Sequence, residues 1–427
     1  MSPETSVVVP HPLRGTVLAE VHARPFHPLE SPRRLFHLAF MTVGEMAGAD
    51  RRALAAWCEA RGVPPPAEGA RHHRVILPGG SLRWEQHAEF TTYTIERPGP
   101  GEPFSPGSGG PGAVMAGLQP PGPLLAATDL HIMLRGAVAD VPALFDHASL
   151  AVSHVDGDGA LAATDFRADA DGFVRILVVD QGLGPARTGA LAQRLLEIET
   201  YRLLALLGLP EAQRMGPRIR LIEEALTRIA SATAGTNAPG EDHKLLDELT
   251  ALAATLEADS ASSGYRFGAS RAYDGIVQQR LAAVRETPVE GWPTLEAFLA
   301  RRMAPAMRTC TMLEERQQLL SEKLSRAANL LRTRVDVEIE RQNRDVLSSM
   351  NERTRLQLRL QQTVEGLSVA AISYYVVGLA AYVFKGLRDV GLLPVDAGIA
   401  TAAAVPLSIL AVWAVVRRIR RGGDNTL

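Results

Sequence analysis

Apolar residues change their spacing along this chain of 427 residues, and each change predicts a different architecture. Up to residue 187 they fall in short runs with a period near two, at 35–42, 74–77, 82–84, 89–95, 129–134, 149–155 and 173–179. Gly, Pro and Asp separate the runs, so they read as strands joined by turns. An Ala- and Leu-rich stretch over 45–61 predicts one helix among them. From 188 to 305 the pattern becomes helical, with segments at 189–208, 217–234, 241–258, 273–286 and 295–303. Leu209-Pro210, GTNAPG and TPVEGWP divide those segments. The expected fold class is α+β: a mixed α/β sheet domain over 1–187, then a helical domain over 188–305.

Residues 306–365 contain neither Pro nor Gly and predict one long helix, about 90 Å at 1.5 Å per residue. Leu324, Ala328, Leu331, Val335, Ile339, Gln342, Val346 and Met350 form an apolar seam broken only by Gln342. Its mean spacing, near 3.67, suits a straight or slightly right-handed bundle of helices better than a left-handed zipper. A persistent seam calls for a partner. The helix is therefore expected to be the stalk of a homo-oligomer.

Two uncharged stretches follow, 366–384 and 397–416. Each is close to the ~20 apolar residues that a helix needs to cross a bilayer. The twelve residues between them, KGLRDVGLLPVD, suit a tight turn, so a transmembrane hairpin is expected. Arg353, Arg355 and Arg359 precede the first span, and Arg417, Arg418, Arg420 and Arg421 follow the second, whereas the turn holds only Lys385 and Arg388. Positive-inside reasoning places both termini in the cytoplasm, with 417–427 as a cytoplasmic tail. The start, MSPETSVVVPHPLRG, has neither a basic region nor a long apolar one, so export of the large N-terminal part is not expected. The lipid bilayer is thus the one partner the sequence implies directly. Tyr374, Gly378 and Tyr382 recur every fourth residue along the first span, a stripe for helix packing or for a pore lining.

Composition sharpens this picture in three places. Eight Pro and eight Gly within 98–123 predict a flexible insertion that packs no core. A formal net charge of -2 leaves no basic field for nucleic acid, and no nucleic-acid partner is expected. Cys58 and Cys310 are too far apart for a CxxC motif, which points to a reducing compartment.

Ten of the eleven His lie within the first 154 residues, so imidazole chemistry belongs to the sheet domain. If 18–25 is extended, Glu20, His22 and Arg24 share a face that suits an anion, a metal, a tuned base or a structural ion pair. In Arg83-Trp84-Glu85-Gln86-His87-Ala88-Glu89-Phe90, continuing to Tyr93, period two puts Glu85, His87, Glu89 and Tyr93 on one face. Trp84, Ala88 and Phe90 then form the core side. Glu20, His22, Glu85 and His87 are the metal-ligand candidates, against the alternative of a solvated sheet face. No GxGxxG follows a strand, and GxxxxGK[ST] and GxSxG are missing, so no cofactor and no enzymatic activity are expected.

Four ordered segments carry a resemblance: HPLRGTVLAEVHARP at 11–25, RWEQHAEFTTY at 83–93, QRLLEIETYRLLALL at 193–207 and TVEGLSVAAISYYVVGLAAYVFKGL at 363–387. Together they resemble a bacterial family of uncharacterised proteins predicted to be membrane-anchored, which implies an inner-membrane protein and transfers no catalytic residue. More loosely, the order of sheet domain, stalk helix and two C-terminal spans is similar to CorA-type magnesium channels. That family has Gly-Met-Asn where this chain has Lys385-Gly386-Leu387. The function expected is a membrane-anchored scaffold or sensor that oligomerises through its stalk. The alternative is a divergent divalent-cation channel.

Overall fold

The computed structural model describes residues 10–15, 17–18, 26–99, 101–104, 111–235, 240–389 and 394–423. They divide into two compact units, Met1–Ala328 and Asn329–Leu427.

The first unit is built on nine strands: β1 Arg33–Met41, β2 His72–Leu77, β3 Gly80–Gln86, β4 Phe90–Pro98, β5 Leu124–Leu134, β6 Ala151–Val155, β7 Ala160–Ala168, β8 Val174–Asp180 and β9 Thr287–Pro288. They form one sheet in the order β2-β3-β4-β1-β5-β8-β7-β6-β9. Neighbours are antiparallel except β5 and β8. Helices α1 Glu45–Glu59, α2 Pro185–Leu206, α3 Gly208–Gly235 and α4 Glu241–Val284 accompany it, and α5 Leu295–Asp389 begins within it.

Strand alternation explains the two cores. Along β1, Phe36, Leu38 and Phe40 point one way, where they pack with Leu54 and Cys58 of α1 and with Leu82, Trp84 and Tyr93. Leu35 points the other way and joins Leu130, Ile132, Ile176 and Val178 beneath Leu191, Leu195 and Leu196 of α2. Two glycines permit close approach. A Cβ at Gly189 would lie 1.9 Å from the His27 carbonyl oxygen, and one at Gly208 would lie 2.6 Å from Ser270 Oγ. Beyond the sheet, α5 packs on α3 and α4 through Arg316–Glu223, Gln317 to Ser263 and Ser321 to Glu257.

The α+β class holds, with several elements redrawn. The run at 149–155 starts later, at Ala151, and β7 and β9 are additional strands. Because β9 pairs with β6, the sheet borrows residues from beyond 187. The segment 98–123 is not wholly outside the core: Val114, Met115 and Leu118 are buried against α1 and the sheet. The helices expected at 241–258 and 273–286 are one continuous α4. Likewise 295–303, the stalk and the first apolar span are one helix of 95 residues that runs through Pro305.

The second unit contains α5 from Asn329 onward and α6 Ala397–Gly423. Both α5 and α6 contain a stretch long and apolar enough to cross a membrane, and only 6% of either stretch is buried within the protein. Leu331 and Val335 of the expected seam are buried, whereas Ile339, Val346 and Met350 are exposed.

Candidate functional site

The β3–β4 hairpin decides where the chemistry goes. β3 stops at Gln86 and β4 starts at Phe90, so 87–89 form a turn, with the His87 N–H donating to the Phe90 carbonyl at 2.8 Å. The period-two register expected across 83–93 therefore breaks at that turn. Trp84 lies opposite Tyr93, and Glu85 lies opposite Thr92. Opposed residues of an antiparallel pair share a face. Glu85 thus sits with Thr92 and Phe90 on the α2 side, and Tyr93 sits with Trp84 on the α1 side. This corrects the assignment of Tyr93 to the Glu85 face and of Phe90 to the Trp84 face.

On the α1 side, Trp84 Nε1 donates to Asp50 Oδ2 and Tyr93 Oη donates to Asp50 Oδ1, each at 2.8 Å. Burial pushes the Asp50 carboxyl above its ordinary range despite these bonds and a further one from Thr91. Burial first, and the Asp50 charge second, push the Tyr93 phenol up.

On the α2 side lies a polar cavity of about 190 Å³ between the sheet and α2. β3 supplies Arg83 and Glu85, the turn supplies His87, and β4 supplies Phe90 and Thr92; Gln193, Glu197 and Thr200 reach down from α2, and Arg280 comes from α4. Arg83 Nε is 3.8 Å from Glu85 Oε2, an ion pair too long to be a hydrogen bond. Glu197 accepts from Gln193 Nε2 at 2.9 Å and pairs with Arg280. Thr92 Oγ1, Gln193 Oε1 and Arg83 Nε are buried without a hydrogen-bond partner. His37 closes the cavity from β1, its ring nitrogens 2.8 Å from Thr94 Oγ1 and 3.1 Å from Thr200 Oγ1. Burial, with the Arg83 charge behind it, lowers its pKa to about 3, so His37 is a neutral wall and a poor base.

Next to the cavity, Glu89 is clamped by Arg266 at 2.7 and 3.1 Å and by Tyr265 Oη at 3.2 Å. Burial alone would raise its pKa. The bonds from Arg266, Tyr273 and Tyr265 and the Arg266 charge outweigh burial and hold it low. Beside this clamp Tyr201 and Tyr273 stack on each other and Phe90 meets both edge-on, with ring centroids 5.6 to 6.3 Å apart.

Of the expected site residues, Glu85 and His87 meet in this cavity, with the His87 ring stacked on Phe90 at 4.1 Å. Glu20, His22 and Arg24 lie outside the described residues. Among the described residues no group of three or more His, Cys, Asp or Glu is placed to hold a metal ion. Tyr374 and Tyr382 are exposed, and a Cβ added at Gly378 would meet nothing within 4 Å. His37, Thr92, Gln193, Glu197 and Arg280 are site residues that strand and motif reasoning passes over. A signal existed: Gln193, Glu197 and Tyr201 recur every fourth residue along α2, a half-buried polar line beside the buried Ala192 and Leu196.

No curated protein and no solved structure matches the chain. The model of one family matches residues 9–422, nearly the whole sequence and all four segments of the resemblance. The chain belongs to the family described as Protein of unknown function (DUF3422).

Proposed function

We propose that this protein is a scaffold or sensor anchored in the bacterial inner membrane by a hairpin, with both termini cytoplasmic, and that copies of it associate through α5. One observation carries the reading. Ile339, Val346 and Met350, exposed at 44%, 57% and 58%, continue the line of the buried Leu331 and Val335 toward the apolar span. Burying one such side chain is worth ~1.5–3 kcal/mol. A bilayer would hold copies in parallel and concentrate them, so a partner helix of the same sequence is always at hand. Nearby charges of both signs, such as Arg344 paired to Glu340 at 2.9 Å, suit a self-complementary surface.

Disulfide trapping tests this reading. Cys58 and Cys310 are buried, so a cysteine placed by Val346→Cys is the reactive one. Oxidation of membranes containing this variant is expected to yield a cross-linked dimer, and a purely monomeric product would overturn the reading. A divergent cation channel is the second reading. It is favoured by Tyr374 and Tyr382, exposed at 78% and 79%, which an assembly could turn toward its axis. Divalent-cation flux into liposomes that is lost in Tyr374→Ala would select the channel over the scaffold.

A further inference from the structure

The cavity beneath α2 holds unmet hydrogen-bonding capacity of both signs. Arg83 and Glu85 stand two residues apart on one face of β3, loosely paired at 3.8 Å. Arg83 Nε is buried without a hydrogen-bond partner. Beside them Thr92 Oγ1, on a residue 3% exposed, and Gln193 Oε1 are likewise buried and unpartnered. Buried polar groups are normally satisfied, so three orphaned atoms around one cavity mark a place shaped for something that brings the missing partners. Phe90 and Tyr201 add an apolar wall.

Charge narrows the class of ligand. Arg83 and Arg280 balance Glu85 and Glu197 in the lining. A ligand with one net charge would leave that charge uncompensated against a partly buried lining, which is costly. A ligand carrying both charges one carbon apart answers both members of the Arg83–Glu85 pair. Its carboxylate would take the guanidinium fork of Arg83. Its ammonium would donate to Glu85, Gln193 Oε1 and Thr92 Oγ1, and a small apolar side chain would rest on Phe90 and Tyr201. We propose that this cavity binds a small zwitterion of the α-amino-acid type. The proposal stands apart from self-association through α5.

The test is thermal unfolding of the full-length protein in lipid nanodiscs, titrated with L-leucine, with glycine, and with the singly charged analogues 3-methylbutylamine and 4-methylpentanoate. A saturable rise in melting temperature is expected with leucine or glycine. The lone amine and lone acid should need at least about tenfold higher concentrations. Thr92→Val removes an unpartnered hydroxyl, so the unliganded protein should melt at the same temperature or higher while its affinity for the amino acid drops several-fold. Arg83→Gln should abolish the response. No saturable shift with either amino acid at millimolar concentration would overturn the proposal. So would equal shifts with the singly charged analogues, or an undiminished response in Thr92→Val.

Discussion

Trp84 and Tyr93 face each other across the β3–β4 pair and donate to the two oxygens of a single carboxylate, Asp50, on α1. That relationship ties the hairpin to the helix. It also fixes which strand residues turn toward α2, because every neighbour of Trp84 along β3 must point the other way. Arg83 and Glu85 reach the cavity for this reason.

Replacing Asp50 strands two donors in a core. An unsatisfied buried donor costs ~1–3 kcal/mol, so Asp50→Ala should lose roughly 3–5 kcal/mol in chemical unfolding, and Asp50→Asn, which keeps one acceptor, should lose less. The sign of the pH effect follows from the raised pKa of Asp50. Its contribution is fully present below the unfolded carboxyl pKa and is lost as pH rises through the higher folded value. The stability gap between wild type and Asp50→Asn should therefore narrow from acid to neutral pH. A constant gap would contradict this account.

His37 works in the opposite direction. Its pKa falls from 6.5 to about 3 on folding, so its contribution is intact above 6.5 and is lost as pH drops toward 3. The loss approaches ~1.4 kcal/mol for each pH unit in that window. Acid titration of unfolding free energy should show a slope below pH 6.5 that His37→Gln lacks. Parallel profiles for the two proteins would show that His37 is not held neutral.

The Glu89–Arg266 clamp predicts a recoverable loss. Glu89 is almost fully buried and Arg266 is about one-fifth exposed. Arg266→Met leaves the carboxylate without its cation and should cost about 2–4 kcal/mol. Adding Glu89→Gln should restore part of that loss. An additive double mutant in urea unfolding would mean that the two groups do not act as a pair.

Much of this architecture is legible in the residues. The β1 run shows its two faces in the alternation of Leu35, Phe36, His37 and Leu38, and the two apolar spans stand out by length alone. What the sequence hides has physical causes. β7 reads ALAATDFRA, and alanine has little intrinsic strand preference; its neighbours β6 and β8 hold it in the sheet. Pro305 looks like a helix boundary, yet Met303, Ala306 and Met307 are buried around it, and packing carries α5 through. Glu85 and His87 were visible as candidates, but their companions Gln193 and Arg280 lie more than a hundred residues away. No spacing rule along the chain connects residues that a sheet–helix layer brings together.

The proposed hairpin anchor predicts resistance to alkaline washing. Protein with both apolar stretches should stay in the membrane pellet, because each stretch would satisfy its backbone internally and bury its side chains in lipid. A chain ending at Gln362 lacks both stretches and should move to the soluble fraction. Complete retention of the shortened chain in the pellet would place the attachment elsewhere.

Self-association through α5 is tested most directly by the mass of the detergent-solubilised full-length protein, wild type against Val346→Asp/Met350→Asp. Both residues are exposed in the single chain, so aspartates there do not disturb its own core. The wild type should have the mass of two or more chains, and the double variant that of one, with an unchanged melting transition of the sheet domain. A wild type with the mass of a single chain, or a double variant that keeps the wild-type mass, would contradict the account.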